Sequence, residues 1–187
     1  MENRPVLREK AQIMDSAAMR RAIVRIAFEI IERNHGAENI CIIGIMSRGA
    51  QLAQRIAAKI QEVEGQSVPV GYVDITRFRD DRESRGEGDK SDIPFPLTGK
   101  TVVIVDDVIY TGRSVRAAMD AVLERGRPDS IQLAALVDRG HRELPIRADY
   151  IGKNLPTSKE ETVRVLVSER DGEDRVIILE KTGEENQ

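Results

Sequence analysis

Apolar side chains divide this chain into short units. Met19, Ile23, Ile26, Ala27, Ile30 and Ile31 recur at three- and four-residue spacing, one face of a helix, and predict a helix over 16–33. Asp15 or Ser16 can cap its start, Gly36 follows its end, and Glu29 and Arg33 stand four apart as a favourable pair. Residues 40–45, ICIIGI, are a short apolar run rich in β-branched residues and predict a buried strand. The loop Met46-Ser47-Arg48-Gly49 leads into a helical pattern over 50–62, and a second strand is expected over 68–75. Residues 77–100 are polar and almost devoid of apolar side chains over 80–92. Such a stretch inside a domain is either functional, disordered or a solvated hairpin. An apolar strand over 101–105 then ends in Asp106-Asp107. A glycine-containing turn, a helix over 114–125 stopped by Gly126-Arg127-Pro128, and a strand over 131–137 follow. Residues 163–168 and 176–180 read as a hairpin around Asp171-Gly172.

Strands that alternate with helices and are apolar throughout, rather than at every second position, are buried on both faces. The expected fold is therefore α/β, a mostly parallel sheet flanked by helices, with a C-terminal β-hairpin, in one domain of 187 residues. Composition refines this. The chain is 40% hydrophobic but only 3% aromatic, with no Trp, so its core must be built from Ile, Val, Leu and Ala. Cys41 is the single cysteine, which excludes an intramolecular disulfide and fits a cytoplasmic home. With His35 and His141 as the only histidines, a Cys/His zinc cluster is excluded as well. No run approaches the roughly 18 apolar residues of a membrane span, and the start lacks a signal-peptide pattern. A net charge of −3 excludes a generally basic polyanion binder, so any nucleic-acid role must rest on a local patch.

The segment Val102-Val103-Ile104-Val105-Asp106-Asp107-Val108-Ile109-Tyr110-Thr111-Gly112-Arg113-Ser114 carries the chemistry. A buried strand delivers two acids to its C-terminal end, where open α/β sheets bind ligands. The helix start beyond it, with the Thr111 and Ser114 hydroxyls, forms an anion cradle, and Gly112 admits a phosphate closely. Acids beside a phosphate cradle would repel an anion unless they meet hydrogen-bond donors. A sugar phosphate satisfies both, its hydroxyls on Asp106 and Asp107 and its phosphate on residues 110–114.

This segment resembles the PRPP-binding signature of type I phosphoribosyltransferases, and Ser47-Arg48-Gly49 resembles their pyrophosphate loop, often formed with a cis non-proline peptide. The resemblance implies that fold, with a small hood, and catalysis by Asp106, Asp107 and Arg48. PRPP would bind across Ser47, Arg48, Gly49 and 106–114, with Mg2+ bound alongside it. It also implies a lid over 77–100, with Arg77 or Arg79 reaching the pyrophosphate. More specifically, residues 130–154, together with Ile75-Thr76-Arg77-Phe78-Arg79-Asp80-Asp81 and residues 20–27, closely resemble the PyrR family of pyrimidine-operon regulators. That resemblance implies uracil phosphoribosyltransferase activity, making UMP, and binding of pyrimidine operon leader mRNA when UMP or UTP is bound. Val137, Asp138 and Arg139 would read the base. Arg20, Arg21, Arg25, His141, Arg142, Arg147 and Lys153 would form the RNA patch, and self-association into dimers or larger oligomers is expected. RNA-binding members carry Thr and His where this chain has Val24 and Phe28. Two alternatives stay open: a purine salvage phosphoribosyltransferase, and a nucleotide-sensing RNA binder with little catalysis.

Overall fold

The computed structural model describes residues 7–81 and 88–181. Five parallel strands form the main sheet, in the order β3 (Val70–Val73), β2 (Ile40–Ile45), β4 (Thr101–Ile109), β5 (Ser130–Asp138), β6 (Tyr150–Asn154). Helices α1 (Ser16–Asn34) and α2 (Arg48–Glu64) cover one face and α3 (Arg113–Arg125) the other. The unbroken apolar runs have a direct cause. Ile40, Ile42, Val103 and Val105 pack towards α1 and α2, while Cys41, Ile43, Val102 and Ile104 pack towards α3. Alternate side chains thus enter two separate cores, so these stretches of β2 and β4 are apolar on both faces. Burial raises the Cys41 thiol to about 11, so it stays protonated and inert.

The expected cap is present: Asp15 Oδ1 accepts from the Ala18 N–H at 2.7 Å. At the other end of α1, His35 adopts φ 55° and its N–H donates to the Glu32 carbonyl. The expected Glu29–Arg33 pair does not form. Arg33 instead reaches Asp149 at 2.6 Å and Glu29 pairs with Arg25 at 3.5 Å, because β6 brings Asp149 beside the end of α1.

A second, antiparallel sheet has the order β1 (Leu7–Met14), β8 (Arg175–Lys181), β7 (Thr162–Leu166). The expected hairpin is thus β7 and β8, but a short helix, α4 (Ser168–Asp171), replaces the tight turn. Strand β1 was not legible in the sequence, because most of its residues are exposed and their charges mask any period of two. The strand expected over 68–75 is shorter, and β4 continues through the two acids to Ile109.

Candidate active site

Asp106 and Asp107 sit within β4, just past the last residue paired with β2, while pairing with β5 continues to Ile109. The Asp107 N–H donates to Asp106 Oδ1 at 2.9 Å, and the Val108 N–H donates to Asp107 Oδ1 at 2.8 Å. Burial, together with the neighbouring Asp107 carboxylate, pushes Asp106 well above the ordinary carboxylate range. Burial also raises Asp107, opposed by the hydrogen bond from Val108 and the positive charge of Arg48.

Beside these acids, β2 passes into α2 through a loop whose Met46–Ser47 peptide is cis. Two glycines allow this loop to lie against the sheet. A Cβ on Gly44 would stand 2.5 Å from the Ala50 Cα, and one on Gly49 would stand 2.6 Å from the Val105 carbonyl oxygen. No side chain caps the start of α2. Arg48 faces the cavity, and its guanidinium forks onto Asp171 of α4, Nε to Oδ2 at 3.0 Å and Nη2 to Oδ1 at 2.8 Å.

The start of α3 forms the opposite wall. Gly112 has φ 92°, and no side chain caps this helix either. Thr111 Oγ1 accepts from the Arg113 N–H at 3.3 Å, and Ser114 Oγ accepts from Arg79 Nη1 at 2.5 Å. Asp81 grips the other edge of Arg79, at 2.6 and 2.5 Å. A cavity of about 960 Å³ is lined by Met46 to Gly49, Asp74 to Thr76, Arg79, the two acids and Ser114. A second, of about 320 Å³, is lined by Ile109 to Gly112 and shares Arg79, Asp106, Val108 and Ser114 with the first. One cleft therefore runs from the Ser47–Gly49 loop across the acids to the start of α3. Arg79 stands at its centre, whereas Arg77 is turned outward, 3.4 Å from Glu124 of α3. Residues 82–87 of the expected lid lie outside the described residues.

Two uncapped helix starts facing one pair of buried acids suit a ligand with two phosphoryl groups and hydroxyls between them. The phosphoribosyl transferase domain family matches residues 9–170. The "Bifunctional protein PyrR" of Pelotomaculum thermopropionicum is 57% identical over 92% of this chain and 97% of its own length. That of Thermus aquaticus is 57% identical over 95% and 99%. The chain belongs to the PyrR family of phosphoribosyltransferases. Among solved structures, hypoxanthine phosphoribosyltransferase of Trypanosoma cruzi aligns with a TM-score of 0.71 at 17% identity, covering 93% and 98% of the two chains. A Staphylococcus aureus hypoxanthine phosphoribosyltransferase aligns at 0.68 and 17%, covering 90% and 92%. These structures share the fold.

The segment that most resembles the PyrR family is internally braced. Val137 is fully buried. Asp138 accepts from Arg142 Nη2 at 2.5 Å and from the Gly140 N–H at 3.0 Å. Arg139, only 7% exposed, lies 4.1 Å over the Tyr110 ring. Its guanidinium donates to Thr157 Oγ1, the Ser158 carbonyl and the Glu161 carbonyl. These three residues do not line the cleft cavities. His141 contacts the Thr157 carbonyl through Nε2, and Arg142 also donates to the Tyr110 and Ile146 carbonyls. The remaining basic residues are more open. Arg20, Arg21, Arg147 and Lys153 are exposed. Arg25 donates to the Ile151 and Gly152 carbonyls, which brings α1 and β6 onto one face. Phe28 stands 49% exposed on the same helix, and Val24 is half-buried.

Sequence reasoning missed the Thr157–Glu161 brace on Arg139 and the Asp171 fork on Arg48. Both are contacts at long sequence separation, and no local pattern announces them.

Proposed function

We propose that the protein transfers ribose 5-phosphate from PRPP to uracil, giving UMP and pyrophosphate, and that with UMP or UTP bound it attenuates pyrimidine-operon transcription by binding leader mRNA. The observation that carries this reading is the pair of uncapped helix starts around Asp106 and Asp107, in a chain 57% identical to PyrR proteins. On this reading the 5-phosphate lies at Tyr110 to Ser114, where Thr111, Ser114 and the first N–H groups of α3 receive it. The ribose hydroxyls donate to Asp106 and Asp107. Pyrophosphate lies against Ser47, Arg48 and Gly49, within reach of Arg79.

The C1–O bond breaks with its electron pair leaving on pyrophosphate and positive charge developing on the sugar ring; uracil N1 then bonds to C1, and its proton passes to the departing pyrophosphate or to solvent. The site's task is electrostatic: to hold a departing polyanion and keep water from C1. Arg48 and Arg79 supply fixed donors to that anion. The buried acids face the developing cation. Among the described residues no three His, Cys, Asp or Glu side chains converge. A magnesium ion arriving with PRPP would have few protein ligands of its own, with Asp106 and Asp107, which line the cleft, available to it. When bound, magnesium supplies positive charge to the leaving pyrophosphate.

Arg20, Arg21 and Arg25 of α1, with His141, Arg142, Arg147 and Lys153, are the basic residues offered to RNA on this reading, with Phe28 available to stack on an unpaired base. Self-association into a dimer or larger oligomer would repeat that set. Among the described residues no helix is long and apolar enough to cross a membrane, and the proposed role belongs in the cytoplasm.

Pyrophosphate release from PRPP with magnesium, tested with uracil, hypoxanthine and guanine, decides the enzymatic half. Uracil-dependent release that disappears in Asp107→Asn supports it. Release with a purine alone would reassign the base, and no release with any base would leave a nucleotide-sensing RNA binder. Leader RNA bound no better than scrambled RNA with UMP present would remove the regulatory half.

A further inference from the structure

The guanidinium of Arg48 does not stand free in the cleft. Asp171, at the end of α4 on the separate three-stranded sheet, holds it through two hydrogen bonds. Asp171 is itself held in place. Its Oδ2 accepts from the Val167 N–H at 2.9 Å, and its own N–H donates to the Val167 carbonyl at 2.7 Å. Both side chains are largely covered, with 26% of Arg48 and 16% of Asp171 exposed. The turn carrying Asp171 is moored a second time. Arg55, two turns along α2 from Arg48, donates to Glu169, Asp174 and Ser168.

We propose that Asp171 is a positioning residue that aims Arg48 at the pyrophosphate of PRPP. This rests on the pyrophosphate role given to Arg48 above. The fork occupies Nε and one N–H of Nη2, which leaves the Nη1 edge and the outer N–H of Nη2 to face a ligand. A long arginine side chain thereby keeps one orientation in an open cleft.

Two effects of the carboxylate oppose each other. Its negative charge cancels that of Arg48 and so weakens attraction for an anion. Its two hydrogen bonds remove the conformational freedom that Arg48 would otherwise lose on binding. The charges are the same whichever way the guanidinium points, whereas its hydrogen bonds to an anion form only when its free edge is aimed at the ligand. Orientation therefore dominates.

The variant Asp171→Asn keeps an oxygen for the Val167 N–H and leaves all the Arg55 bonds in place, so α4 stays docked. The expected result is a rise of about tenfold in KM for PRPP, and in KM for pyrophosphate in the reverse reaction, the size of a coupled contact pair. Affinity for UMP, which carries no pyrophosphate, stays unchanged. In an Arg48→Ala background, Asp171→Asn adds nothing further. Asp171→Glu recovers less than the native carboxylate, because the longer arm displaces the fork. Unchanged or lower KM for PRPP in Asp171→Asn would overturn the proposal, as would a loss that also weakens UMP or that adds fully to Arg48→Ala. Wild-type turnover is measured alongside: its absence would refute the enzymatic reading itself, independently of Asp171.

Discussion

The Ser47–Gly49 loop can lie against β4 only because position 49 has no side chain. In Gly49→Ala the new Cβ would stand 2.6 Å from the Val105 carbonyl oxygen and 3.4 Å from the Asp106 Cα. Ordinary contact begins near 3.4 Å, so loop and strand must part by about 0.8 Å. Both opposing atoms are backbone and cannot rotate aside. Overpacking of this kind costs about 1–3 kcal/mol, a fall in Tm of about 2–12 °C for a chain of this size. The larger consequence is for catalysis, because Val105 and Asp106 belong to the strand that carries the acids. A displacement approaching 1 Å between reacting groups costs on the order of 100-fold in rate. Uracil-dependent kcat/KM for PRPP should therefore fall about 100-fold in Gly49→Ala. Gly152→Ala is the control. There a Cβ would stand 2.4 Å from the Leu136 carbonyl oxygen, between β6 and β5 and away from the cleft. It should lower Tm comparably while kcat/KM stays within about threefold. Wild-type kcat/KM in Gly49→Ala, or equal losses in both variants, would refute the argument that this contact registers loop against acids.

Three further outcomes follow from the same geometry. Burial and Asp107 raise the proton affinity of Asp106 in the folded state, so ionised Asp106 costs stability above the ordinary carboxylate range and costs nothing below it. Asp106→Asn should thus abolish turnover yet raise Tm at neutral pH, the gain vanishing below about pH 4; a Tm gain independent of pH would contradict this. Arg79 stands in the cleft and Arg77 does not, so Arg79→Ala should raise KM for PRPP by at least about tenfold and Arg77→Ala by less than about twofold; equal effects in steady-state kinetics would reverse the assignment. Arg139 holds three acceptors and the Tyr110 face from a buried position. Arg139→Ala should therefore lower unfolding free energy by about 2–4 kcal/mol, and a denaturation midpoint matching wild type would show that the brace is dispensable.

Short-range pattern was sufficient for much of this protein. The period of α1, the unbroken runs of β2, β4 and β5, and the order of strands and helices all follow from side chains that must leave water. The run from Val102 to Ser114 places strand, acids, glycine and helix start in one continuous stretch, so a phosphate site was readable within thirteen neighbouring residues. Tertiary structure alone decided what distant side chains do to one another. Arg48 meets Asp171 across 123 positions, and Arg33 leaves Glu29 for Asp149 across 116. Arg77 and Arg79 look equivalent in sequence, yet only Arg79 faces the cleft. Strands β1 and β6 were hidden for the same reason. They are short or exposed, and their place depends on partners far along the chain rather than on their own pattern. Local propensity and burial act over a few residues. The direction of a charged side chain is set by whichever partner the fold brings within 3 Å, and that is known only once the whole chain has folded.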